Sequence, residues 1–260
     1  MEIDVIVTGS SRPDLLEKTV NSFLDRLKTT RGFRFLLHED CIFEVESEES
    51  IEWAKYSLLF DETILSKPHV GLGEGIRILL QKVKSPFLIY LQDDWELERE
   101  VDLDALIQAF EENNCINHVH FNKYKTSGSM NGFQQVEHEF SGIKMCLYNA
   151  WAFLPSVWRT KFVKPRFVVR YERPEGYFTN TFGNHEQRRD TGYCKRFMGC
   201  YIYGPQGDYR YLRHLGNARR MASWRLEGGR PGGREMPEEF DRKHAHPDAY
   251  RRIWGRDKPE

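Results

Sequence analysis

The chain has 260 residues, 40% of them hydrophobic, 13% aromatic and 30% charged, which is the make-up of an ordinary globular protein long enough for one large α/β domain or two small ones. Its net charge of -1 excludes a broadly polybasic or polyacidic binding surface. No apolar run approaches the roughly 18 residues of a membrane span, and the acidic start MEIDVIV lacks the basic segment of a secretory signal, so the expected location is cytoplasmic.

In chain order, Ile3 to Thr8 is a β-branched run that ends in the polar loop GSSRP and reads as a central strand. Asp14 and Glu17 have the spacing of a capping box, and Leu15, Leu16, Thr19, Val20, Phe23, Leu24 and Leu27 follow at helical spacing. FRFLLHED reads as a second strand ending on Glu39 and Asp40, SIEWAKYSLLF as a helix and ETIL as a short strand. GLGEG announces a helix whose apolar face is Ile76, Leu79, Leu80 and Val83, and FLIYLQ then reads as a buried strand ending on Asp93 and Asp94. Alternating strands and helices imply an α/β fold, a mixed, mainly parallel sheet flanked by helices, with ligands beyond the carboxyl ends of its strands.

Past residue 100, DLDALIQAFEEN reads as a helix, HVHFNKY as a strand, KTSGSMNGFQQ as a loop and CYIYG as a strand; EQRRDTGYCKRF looks helical. Residues 217–260 form a C-terminal extension with few apolar anchors. Residues 216–260 carry eleven Lys or Arg against eight acids, which reads as a solvated tail, with a phosphorylated acceptor or nucleic acid as a less favoured partner. Five cysteines without a CxxC pair argue against a disulfide framework and a zinc site, and the pairs His118/His120 and His244/His246 fall short of a metal centre.

Two adjacent carboxylates at a strand end repel one another and call for a positive partner. Hard divalent cations prefer carboxylate oxygens, and Mg2+ or Mn2+ sites often use one or two of them, with waters and substrate phosphates completing the shell. Glycines 71, 73 and 75 do not make a GxGxxG fingerprint, and there is no GK[ST], so dinucleotide and P-loop sites are disfavoured.

Taken in order, TGSSRP, the acids after the second strand, GLGEGIRILLQKVKSPFLIYLQDDW, GNHEQRRDTGYCKRFMGCYIYG and YLRHLG resemble the GT-A-fold, family-2-like glycosyltransferases over residues 3 to 216. The resemblance implies a Rossmann-like GT-A domain over residues 1–216, with a nucleotide-binding half at 1–100 and an acceptor-binding half at 101–216. It implies a UDP- or GDP-linked sugar donor, a hydroxyl acceptor, and Mn2+ or Mg2+ as cofactor. Carried over by position, Gln92, Asp93 and Asp94 match the DxD-type motif, with glutamine where the family often has aspartate. Asp93 would then meet the ribose and Asp94 the metal, and His214 matches the late histidine that completes the metal or diphosphate site.

Thr8, Ser10, Arg12, Glu39 and Asp40 match nucleotide-binding positions, and Arg12 and Arg77 have the chemistry to face phosphate oxygens. Glu186 matches the base that deprotonates the acceptor in the inverting members, with His185 and Gln187 flanking it in place of the frequent Glu-Asp pair. His185 could orient Glu186 or itself be the base. Trp95 and Trp151 offer flat faces for sugar rings, whereas Trp158 reads as core. A sugar-1-phosphate nucleotidyltransferase would need a glycine-rich basic loop that TGSSRPDLL does not supply, and a catalytically silent nucleotide- or sugar-binding module is the non-enzyme alternative.

Overall fold

The computed structural model describes residues 2–121, 136–167, 187, 190–206 and 211–215. The first strand, β1 (Ile3–Gly9), is buried along its whole length, as a strand in the middle of a parallel sheet is, and its one charged residue, Asp4, is held by Arg34 and the Lys84 and Ser85 amides. Helix α1 (Pro13–Arg26) follows and buries Leu15, Leu16, Thr19, Val20 and Phe23. The expected capping box does not form: Pro13 takes the start of the helix, and Arg12 stands at the N-cap with no side-chain cap bond.

After the two-residue strand β2 (Leu27–Lys28) come β3 (Phe33–Asp40), α2 (Glu44–Tyr56), β4 (Phe60–Ser66), α3 (Leu72–Lys82) and β5 (Phe87–Gln92). The short strands β6 (Trp95–Leu97) and β7 (Val101–Asp102) lead to α4 (Leu103–Glu112), capped by Asp102, whose carboxylate accepts from the Ala105 amide at 2.9 Å. The remaining strands are β8 (His118–Phe121), β9 (Glu137–Phe140), β10 (Ile143–Tyr148), β11 (Ser156–Arg159), β12 (Cys200–Tyr203) and β13 (Leu212–His214), with α5 (Thr160–Val163) and short helical turns at Lys164–Arg166, Thr191–Tyr193 and Cys194–Met198 between β11 and β12. The sequence reading did not include the hairpin β9–β10, which turns on Ser141 and Gly142, both at positive φ.

Nine strands form one mixed sheet in the order β4-β3-β1-β5-β11-β8-β12-β10-β9. The first four are parallel, and β11 runs antiparallel to both β5 and β8. Pairing of Gly9 with Glu39 and of Thr8 with Gln92 brings the carboxyl ends of β1, β3 and β5 to one edge. No helix among the described residues is long and apolar enough to cross a membrane. The chain divides into two compact units, Met1–Arg213 and His214–Glu260; of the second, only residues 214 and 215 are described.

Candidate active site

At that sheet edge the two acids meet their positive charge, and it comes from the loop after β1. The Arg12 guanidinium donates Nε to Asp93 Oδ2 at 3.0 Å, Nη2 to Asp93 Oδ1, and Nη1 to Asp94 Oδ2 at 2.8 Å. The cluster is nearly closed to water, with Arg12 8% exposed, Asp93 1% and Asp94 2%. Burial works against the Arg12 charge, but Asp93 and Asp94 outweigh it and raise the Arg12 pKa. Burial pushes the Asp93 carboxyl up while Arg12 pulls it back.

Asp93 is also tied to the loop itself, because Ser10 N–H donates to its Oδ2 at 2.8 Å and its own N–H donates to Thr8 O at 3.1 Å. Both Asp93 oxygens therefore have protein partners. The Thr8 hydroxyl is buried against Tyr90 and Leu91, so what Thr8 gives the site is its carbonyl.

One strand over, Glu39 is fully buried beneath the same loop and accepts from the Ser11 amide and, at 3.1 Å, from the Ser47 hydroxyl. Burial, with the Asp93 charge adding to it, pushes Glu39 up to about 8 against the opposing pull of Ser11, Ser47 and Arg12, so it is mostly protonated at pH 7. Its Oε2 makes no hydrogen bond and lies where a Cβ on Gly9 would have to go. His38 stands in a similar relation to α3, its Nδ1 lying 2.6 Å from where a Cβ on Gly75 would stand.

Asp40 accepts from the Val70 and Gly71 amides, each at 2.8 Å, and pairs with His69 Nδ1 at 2.6 Å. Its carboxylate thus holds the loop that starts α3, where Gly71 at φ 85 is the residue type that fits. Arg77 donates Nε to Glu74 Oε2 at 2.8 Å, one turn back on α3.

Several sequence expectations need correcting. The Arg12 guanidinium faces the two acids. Trp95 and Trp151, each 2% exposed, are core residues and present no sugar-binding face. The Trp95 indole N–H donates to Gln92 Oε1 at 3.1 Å, which also accounts for glutamine at that position. Trp151 stacks on His118 at 4.3 Å between ring centroids. Glu186 and His185 lie outside the described residues. His214 is the last residue of β13 and belongs to the second unit.

Ser11, which sequence reasoning passed over, ties the site together. Its Oγ accepts from the Ile42 and Phe43 amides at 3.0 and 2.8 Å and bonds to Ser47 Oγ at 2.7 Å, joining the loops after β1 and β3. It does so at φ 55, an uncommon conformation for serine. Local sequence carries no signal for that.

Among the described residues no group of three or more His, Cys, Asp or Glu side chains could hold a metal ion alone. A cation that arrives with phosphates needs only one or two carboxylates. Arg12 supplies one positive charge against two carboxylates, with Glu39 mostly neutral, so the cluster keeps net negative charge. Asp94, with a single oxygen on the guanidinium, is the member that fits a hard cation.

No protein-family model matches the sequence, and no curated protein matches it. Solved structures do match. The mannosyltransferase PcManGT from Pyrobaculum calidifontis, in complex with GDP-Man and Mn2+, superposes with TM-score 0.55 and 11% identity over 95% of this chain and 69% of that one. The chain has the GT-A fold. TarS 1–349 from S. aureus in complex with UDP-GlcNAc shares it at TM-score 0.51 and 12% identity, over 99% and 74% of the two chains. GalNAc-T7 with UDP, GalNAc and Mn2+ shares it at 0.56 and 14%, over 81% and 44%. In the GT-A fold of this chain, the cluster of Arg12, Asp93 and Asp94 stands beyond the carboxyl ends of the parallel strands, where open α/β sheets take their ligands.

Proposed function

We propose that this chain is a glycosyltransferase that moves a hexose from a UDP- or GDP-linked donor to an acceptor hydroxyl. The observation that carries the reading is the pair Asp93 and Asp94 at the end of β5, locked to the loop after β1 in a GT-A fold. Solved proteins of this fold hold UDP-GlcNAc or GDP-Man, and two of those compared hold Mn2+, which supports the donor class and the cation.

In this reading Asp94 would hold Mn2+ or Mg2+. The cation, when bound, neutralises charge on the departing diphosphate. Asp93 acts as the anchor that fixes loop 8–12 against β5, and a role at the ribose would have to share its oxygens with Arg12 and Ser10. Glu39 in its neutral form offers the nucleotide edge of the site no extra negative charge. Asp40 sets the start of α3 and so the place of Arg77, which a phosphate would draw from Glu74.

Transfer is inverting in this scheme. The acceptor oxygen forms its bond to the anomeric carbon as the bond to the diphosphate oxygen breaks, and the acceptor proton passes to Glu186. His185, its neighbour in sequence, is the candidate to orient that carboxylate or to act as the base in its place.

UDP or GDP is expected to raise the melting temperature only when Mn2+ or Mg2+ is present, with a stabilisation of about 2.7 kcal/mol at a nucleotide concentration 100 times Kd. Absence of a shift with both nucleotides and both metals would overturn the donor reading. Glu186→Gln is expected to suppress transfer while nucleotide affinity stays nearly unchanged. Wild-type turnover in that variant would remove Glu186 from the mechanism.

A further inference from the structure

We infer that Arg12 is a built-in counter-ion that makes cation binding at the strand-end acids conditional on the donor: it occupies Asp93, shares Asp94, and so weakens the acids' hold on a free divalent cation. The inference rests on reading this edge as the donor-diphosphate site and goes beyond that reading in assigning Arg12 control over metal loading.

Helix chemistry does not account for an arginine here. The N-cap favours Ser, Thr, Asp or Asn, whose side chains accept from the first turn, and a cation beside a helix N-terminus meets the unfavourable end of the dipole. Arg12 makes no cap bond, and three of its donor nitrogens point to the two acids. The charge is held against local preference, in a nearly closed environment where it is not exchanged for solvent.

Both Asp93 oxygens lie under the guanidinium fork, and Oδ2 carries the Ser10 amide as well. A cation reaching Asp93 has to displace that fork. A carboxylate such as Asp94 has lone-pair capacity beyond the bond to Nη1, but a cation there sits within a few ångströms of the guanidinium charge. An arriving diphosphate adds negative charge that offsets this repulsion, and the coupling is reciprocal, because whatever tightens the cation on the nucleotide complex also tightens the nucleotide on the cation complex.

The test is a Mn2+ titration without nucleotide, followed by electron paramagnetic resonance, on wild type, Arg12→Met and Arg12→Lys. Arg12→Met is expected to bind Mn2+ at least tenfold more tightly than wild type, and Arg12→Lys, which keeps the charge, is expected to stay within a few fold of wild type. Equal or weaker binding by Arg12→Met overturns the inference, as does a lysine variant that binds as tightly as the methionine one. If Arg12→Met does not fold alone, recovery of a cooperative thermal transition on adding Mn2+ supports the inference, and no recovery at any Mn2+ concentration overturns it. None of these measurements uses a nucleotide, so the donor reading can fail in its own thermal-shift test while this comparison still decides the role of Arg12.

Discussion

Asp93→Ala is expected to destabilise the fold by about 3–5 kcal/mol, the usual cost of removing one member of a buried ion-pair cluster. For a chain of this size that is a fall in melting temperature of about 6–20 °C. The side chain removed is 1% exposed, and it accepts the Nε and Nη2 donors of Arg12 and the Ser10 amide together. Asp93→Asn keeps the shape and part of the bonding, so its loss should be smaller. Combined with Arg12→Met, Asp93→Ala should cost clearly less than the two single changes added, since the second change removes a guanidinium whose Nε and Nη2 have already lost their acceptors. Urea unfolding of the four proteins measures this. A loss under about 1 kcal/mol for Asp93→Ala, or strict additivity, would mean that the fork does not exist in solution.

Stability is expected to fall steeply in acid because of His118 and His120. Both rings are buried on β8, where His118 lies between Trp151 and Trp158 and His120 meets the Tyr148 ring. Neither His118 nitrogen has a hydrogen bond, nor has His120 Nδ1. Burial holds His118 well below the ordinary histidine value, with His120 adding to it, and burial lowers His120 to about 3.

The native state therefore keeps these rings neutral while the unfolded chain protonates them near pH 6.5. Their contribution is complete above that pH and is lost as pH falls toward 3, by about 5 kcal/mol for His120 alone. Glu39 acts with the opposite sign, since its raised value favours the fold as pH drops from about 8 toward the unfolded carboxyl range. The difference between wild type and a His118→Phe/His120→Phe double variant separates the two. Over pH 7 to pH 4 wild type should lose unfolding free energy relative to the double variant as the medium becomes acidic, and parallel curves would show that the histidines are not buried neutral.

The parallel half of the sheet was legible because its strands are buried on both faces and so read as apolar runs, Val5–Val7 and Phe87–Leu91 among them. The β9–β10 hairpin was not, because EHEF alternates weakly and only Ser141-Gly142 marks its turn. The acids Asp93 and Asp94 announced themselves, together with the need for a positive partner. What local pattern could not supply was that partner, since Arg12 lies 81 residues upstream of Asp93 and sheet register alone brings them together. Nor could it tell which face of a tryptophan is open: Trp95 and Trp151 have the composition of a sugar platform and the burial of core residues.

The close fit of Gly9 over Glu39, and of Gly75 over His38, has an evolutionary corollary. Among descendants of this chain, positions 9 and 39 should drift as a pair, with alanine or serine at 9 accompanied by a moved or shortened side chain at 39, and positions 75 and 38 should do the same. Correlated replacement at these two couples, and independent replacement elsewhere on the same loops, is the historical trace such interlocking would leave.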